Sequence, residues 1–143
     1  MDTYDFGGYR VEIDRTATLE WYAKAGNWGC ECGHCRNFLA LSKMKKLPEP
    51  IIKAMEELGI PPEKATYVCM VYADAQGMHY QFSYRMAGRI VDVPEQEPVE
   101  DWGQVRCCHE CYPYGAPDFP QPHFDLEFWT ILPWVLDESP DGT

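Results

Sequence analysis

The sequence predicts an α+β fold: an antiparallel sheet of about five or six strands with two consecutive helices and a metal-clipped proline-rich loop. Three observations carry this. Residues 8–14, 79–86 and 123–131 alternate apolar and polar side chains with a period of two. Residues 36–46 and 48–59 repeat apolar positions at helical spacing. Residues 94–122 hold six prolines and a dense cysteine cluster, and show no periodicity.

In residues 8–14, Tyr9, Val11 and Ile13 face one way and Arg10, Glu12 and Asp14 the other, as in a half-buried strand. Residues 18–23 (Thr-Leu-Glu-Trp-Tyr-Ala) suit a partner strand, joined by a short Asp14-Arg15-Thr16 connection. After Cys35, Phe38, Leu41 and Met44 recur every three residues, which predicts a helix over 36–46. The next helix, 48–59, has proline in its first turn and an Ile51/Met55/Leu58 stripe for the core. Gly59 is its cap, with Pro61 and Pro62 just beyond.

Residues 65–73 are apolar on both faces and predict a central strand, followed by a turn at Asp74–Gly77. The segment 79–86 places Tyr80, Phe82, Tyr84 and Met86 inward and His79, Gln81, Ser83 and Arg85 outward. With a short strand at 89–93, residues 65–93 read as an antiparallel meander. The segment 123–131 alternates again through Phe124, Leu126 and Phe128, and residues 137–143 read as a frayed tail. Residues 1–143 are expected to form a single domain, with 94–122 as one long loop.

With 143 residues, 45% hydrophobic and 14% aromatic, the chain can bury a substantial core. The formal net charge of −11 repels phosphate backbones, so a nucleic acid partner is not expected. No apolar run approaches the roughly 18 residues of a membrane span, and the first residues do not read as a secretory signal. The expected location is therefore cytoplasmic, with no membrane partner. Five of the twelve basic residues, Arg36, Lys43, Lys45, Lys46 and Lys53, fall between positions 36 and 53. They read as a solvated helix face.

Six of the seven cysteines and two of the four histidines lie in two islands. The first contains Cys30, Cys32, His34 and Cys35; the second contains Cys107, Cys108, His109 and Cys111. In a reducing compartment such clusters bind metal or do redox chemistry more often than they form structural disulfides. Cys32-Gly-His-Cys35 and Cys108-His-Glu-Cys111 are both Cys-x-x-Cys pairs. Two such pairs can surround a tetrahedral zinc ion, each sulfur about 2.3 Å from it. The predicted structural zinc ligands are Cys32, Cys35, Cys108 and Cys111, with Cys30, His34, Cys107 and His109 as alternates. An iron–sulfur cluster would also use about four thiolates. The 72 residues between the pairs require them to meet in space, and the metal would then pin the 94–122 loop to the first helix.

A redox reading competes. Cys32-Gly-His-Cys35 resembles the active site of protein disulfide isomerase, a thioredoxin-fold enzyme. At a helix N-terminus Cys32 would be the nucleophile and Cys35 the resolving thiol. A thioredoxin fold places a strand–helix–strand unit before the motif, whereas residues 1–29 read as strands. A longer pattern is similar to small uncharacterised bacterial proteins. It comprises Cys-x-Cys-x-x-Cys-Arg-Asn-Phe from Cys30, Leu-Gly-Ile-x-Pro-x-Lys over 58–64 and Phe-x-x-x-Leu-Pro-Trp over 128–134. That resemblance implies one domain and carries no activity.

Among other candidates, Asn37 is expected to bond a thiolate or cap backbone groups. Cys69 is expected in the core, and His79 and His123 at the surface. Glu110 could orient a histidine or activate a water on an open zinc site. Asp125 and Glu127 share one strand face and are expected to be solvated. Trp102, Tyr112, Tyr114 and Phe119 either cover the metal or form a contact surface. The leading expectation is a zinc-stabilised, non-enzymatic module that contacts a protein partner. A thiol–disulfide oxidoreductase using Cys32 and Cys35 is the first alternative, and a metal-dependent hydrolase the second.

Overall fold

The computed structural model describes residues 1–109 and 115–140. Six strands form one antiparallel sheet, and three α-helices cover one face of it. The strands are β1 (Asp2–Phe6), β2 (Tyr9–Ile13), β3 (Tyr67–Asp74), β4 (Gly77–Asp92), β5 (Gly103–Cys108) and β6 (His123–Leu132). The helices are α1 (Arg15–Lys24), α2 (Gly33–Lys43) and α3 (Glu49–Leu58), and a 3-10 turn spans Pro62–Lys64. The sheet runs β1-β2-β4-β6-β5, with β3 also on β4.

The long strand β4 organises the sheet. Along one edge its first half pairs with β3 and its second half with β2, while β6 lies along the other edge from Met78 to Ala87. Between β3 and β2 its edge has no strand neighbour, and side chains take over. Thr66 Oγ1 donates to Ser83 O and accepts from Arg85 N–H, both at 3.1 Å. Tyr22 Oη donates to Arg85 O at 2.8 Å, and Thr18 Oγ1 accepts from Ala87 N–H at 3.0 Å. Each buried backbone group there gains a partner, as burial demands.

Several elements differ from the sequence expectation. Residues 15–24 form a helix rather than a strand. Asp14 starts it: its carboxylate accepts from Ala17 N–H at 3.0 Å, which satisfies a first-turn donor. Thr18 and Tyr22, one turn apart, then both reach the sheet edge. The partner of β2 is instead β1, through a turn in which Gly7 (φ 58°) and Gly8 (φ 89°) supply the two left-handed conformations that a tight hairpin requires. The proline-rich stretch is likewise not one loop, because β5 lies within it and pairs with β6 from Thr130 to Asp125. The strands at 79–86 and 89–93 are one strand. Gly88 (φ 148°) lets the backbones of β4 and β2 approach, since a Cβ there would meet Glu12 O at 1.9 Å. The α3 cap is as expected, with Gly59 left-handed at φ 79°.

The core lies between the sheet and the helices. Tyr80, Phe82, Tyr84 and Met86 of β4 and Phe124, Leu126 and Phe128 of β6 point into it and are fully or almost fully buried. Phe38 of α2 packs on Phe82, ring centroids 4.8 Å apart, beside the Ile51/Met55/Leu58 stripe of α3. The opposite sheet face carries a buried polar layer. Arg85 and Asp125, both fully buried, form a two-pronged pair at 2.8 and 3.0 Å. Glu127, 0% exposed, accepts from Arg106 at 2.8 Å and from Trp129 Nε1 at 2.7 Å. Asp125 and Glu127 are thus not a solvated face, and Gln81, Ser83 and Arg85 are buried beside them.

A candidate three-thiol metal centre

The first cysteine island folds into a compact cluster. After α1 the chain crosses from Ala25 to Glu31 with few backbone ties, one being Trp28 N–H to Glu63 O at 3.0 Å. Cys32 then sits at the N-cap of α2, and Cys35 one turn into it. The Sγ atoms of Cys30, Cys32 and Cys35 all lie within 4.8 Å of one another. Cys30 and Cys32 are exposed and Cys35 is buried.

That spacing suits one ion. Sulfurs bound at about 2.3 Å in a tetrahedron stand about 3.8 Å apart, within small side-chain adjustments of what is seen. A 4Fe–4S cluster gives each thiolate its own iron and so spreads the sulfurs further. Three thiolates this close repel one another unless a cation lies between them.

The surroundings separate the thiols electronically. Burial is the largest single influence on the Cys32 thiol and raises it. The Cys35 and His34 amides at the start of α2, with the Cys30 and Cys35 thiols, outweigh that and hold it below the ordinary thiol value. Burial pushes Cys35 up to about 12, although the Trp28 indole N–H donates to its sulfur at 3.1 Å. Tyr80, pushed up to about 12 by burial, donates its hydroxyl proton to His34 O at 2.7 Å and ties the helix start to the sheet. Asn37, fully buried, donates to Pro133 O at 3.0 Å and accepts from Val135 N–H at 2.8 Å. It caps backbone groups beyond β6 and, among the described residues, forms no hydrogen bond to a thiol. Arg36 pairs with Glu138, which brings the stretch around Glu138 to the first turn of α2.

The second island is divided. Strand alternation turns Cys107 into the core, where burial pushes its thiol up to about 12. Cys108 turns to the opposite sheet face, its Sγ 3.9 Å from Glu127 Oε2. It pairs in register with Asp125 near the start of β6, whereas Asn37 fastens α2 just past the end of that strand. Some 25 Å of strand and the sheet itself separate Cys108 from Cys32 and Cys35. Among the described residues Cys108 therefore does not join Cys32 and Cys35, and Cys30 lies beside them. Cys111, Glu110, Tyr112 and Tyr114 lie outside the described residues, and His109 is exposed at the end of β5. His34 is not in the thiol group; its ring stands edge-on to Trp134 at 5.7 Å.

The other candidates are placed as follows. Cys69 is half-buried on the polar sheet face rather than in the core. His79 stacks on Tyr72 and bonds Asp74 at 3.0 Å. His123 has Nδ1 3.2 Å from Pro120 O, which makes that nitrogen the donor, and presents Nε2 to Arg85 at 3.4 Å. Phe119 is buried against Trp21, and Trp102 packs on Phe128. The basic residues of 36–53 are mostly paired on the surface: Lys53 with Glu49, Lys45 with Glu56, and Arg36 as above. Sequence reasoning missed the buried layer of Arg85, Asp125, Glu127 and Arg106. Its one signal was that acidic residues on β6 recur in step with basic ones on neighbouring strands. Among the described residues no helix is long and apolar enough to cross a membrane. No family model, curated protein or solved structure matches the chain.

Proposed function

We propose that the chain is a metal-binding protein in which Cys30, Cys32 and Cys35 hold one zinc ion, and that this ion has a structural role in a protein-interaction module. The observation that carries the reading is the convergence of three sulfurs, from the segment before α2, its N-cap and its first turn, within 4.8 Å. Zinc suits three thiolates, and the ion would fasten the weakly tied Ala25–Glu31 segment to α2. Metal analysis of protein purified without added metal should find about one zinc per chain. Cys32→Ser should reduce that content to a small fraction. Metal-free wild-type protein from zinc-replete cells would overturn the reading.

A second reading has its own support, the opposite shifts of Cys32 and Cys35. A lowered, exposed thiol at a helix N-terminus beside a raised, buried one is the asymmetry of a disulfide-exchange pair. The Cys32 thiolate would attack a substrate disulfide, form a mixed disulfide and release one substrate thiolate. The Cys35 thiolate would then displace the second, leaving a Cys32–Cys35 disulfide and two electrons on the substrate. Single-turnover reduction of a model aromatic disulfide by zinc-free protein, lost in Cys32→Ser, would favour it over the metal reading.

A further inference from the structure

We infer that the groove across the end of the sheet, between the β3–β4 hairpin and the segment before β5, binds an extended partner segment carrying arginine or lysine. It uses residues other than the thiol cluster and needs no metal. A cavity of about 560 Å³ lies there, walled by Tyr72, His79, Trp102 and Trp129, with Glu100 and Asp101 on its rim. A second cavity of about 230 Å³ shares Trp129 and Gln104 with it and is bordered by Glu97 and Arg106. The two cavities adjoin at these shared residues, and side by side they offer room for several residues of extended chain.

Two independent features point to a cationic occupant. The first is aromatic surface. Tyr72 lies over His79 with centroids 4.1 Å apart and planes 15° apart, and indoles stand on the other walls. Ring faces attract guanidinium and ammonium groups, more strongly as water is excluded. The second is charge. Residues 94–102 carry Glu95, Glu97, Glu100 and Asp101 and no lysine or arginine. Glu97 is fixed by Tyr9 Oη at 2.5 Å and Gln104 Nε2 at 2.9 Å. Glu100 and Asp101 are exposed and form no ion pair among the described residues. Arg106, the guanidinium bordering the groove, is bound to Glu127.

Apolar residues at the rim complete the surface. Val99, Tyr72 and Ile131 are 77%, 50% and 39% exposed, a concentration of large apolar groups that a solvated loop does not need. A second copy of this chain is disfavoured as occupant, because it would bring another net −11 to an acidic face. A basic segment satisfies both features: aliphatic stems cover the apolar rim, cationic heads meet rings and carboxylates.

The test is calorimetric titration of the full chain with the peptide Gly-Arg-Gly-Arg-Gly amide and with its citrulline counterpart, which keeps the shape and removes the charge. The arginine peptide should bind about tenfold tighter than the citrulline one. The double variant Glu100→Gln/Asp101→Asn should weaken it about fivefold. Glu20→Gln/Glu57→Gln, the same charge change on exposed helix positions, should leave it unchanged. Absence of binding, equal affinity for the two peptides, or equal weakening by the control variant would overturn the proposal. The last outcome would mean bulk charge attraction without a site. Repeating the titration after chelation keeps this result separate from the metal reading, since groove binding should persist.

Discussion

At the residue scale the polar face of the sheet carries the largest stakes. Arg85 and Asp125 are 2% and 1% exposed at their side chains, and each needs the other to remain charged there. Asp125→Ala should therefore lower stability by about 3–5 kcal/mol, because it leaves a buried guanidinium without its counter-charge. Paired replacement by apolar groups, Arg85→Met with Asp125→Leu, should recover most of that loss. Urea unfolding midpoints of the three proteins decide the point; a double variant no better than the single would mean that the pair is not energetically coupled. Alternation alone could not show this. A period of two says that Arg85, Asp125 and Glu127 share a face opposite the core, and the ordinary inference is that such a face is wet. Burial of the face depends on tertiary packing, and that packing leaves no local trace in the strands themselves. The first cysteine island was legible for the opposite reason. Cys30, Cys32 and Cys35 are six residues of local chain, and a helix starting at Gly33 brings them together almost without tertiary help.

At the scale of elements, α1 and β4 explain each other. The sixteen residues of β4 outrun every single neighbour on one edge, and the gap between β3 and β2 has to be closed by hydroxyl groups. Thr18 is central to that closure, donating to Asp14 O at 2.8 Å and accepting from Ala87 N–H at 3.0 Å. Thr18→Val preserves shape and removes the hydroxyl, so a buried N–H loses its partner at a cost of about 1–3 kcal/mol. Thr16→Val, an exposed position on the same helix, should change stability by less than about 0.5 kcal/mol. Thermal unfolding of both variants tests the difference, and equal small effects would show that the hydroxyl at 18 is dispensable. The same contact accounts for the misread element. Thr18, Trp21 and Tyr22 have the side chains of a strand, and only the Asp14 cap and the position of β4's gap make a helix the better solution. In β5 the difficulty was dilution: a six-residue strand between proline-rich flanks offers too short a pattern to stand out. Helix α3, with its proline entry, apolar stripe and glycine exit, needed no such context.

For the molecule as a whole, the core and the thiol cluster are separate sources of order. The sheet, α2 and α3 enclose a continuous apolar core that contains Cys35 but neither Cys30 nor Cys32. An ion bound by the three sulfurs would therefore add to a fold that already closes on itself, unlike a zinc finger, whose core is too small to form alone. If the three sulfurs hold an ion in the folded state alone, its removal should lower the unfolding midpoint while the transition stays cooperative. The far-ultraviolet circular dichroism of the chelated protein should match that of the loaded one. Local protection should change more. The amides of residues 28–36 should exchange faster by one to two orders of magnitude on chelation, roughly the effect of losing a few kcal/mol of local anchoring. Amides at the centres of β4 and β6 should slow or quicken only with global stability. Hydrogen exchange resolved by residue, with and without chelator, reads both at once. Uniform acceleration across the sheet would place the ion's influence in the core; no change at residues 28–36 would remove any role for it in ordering the segment before α2.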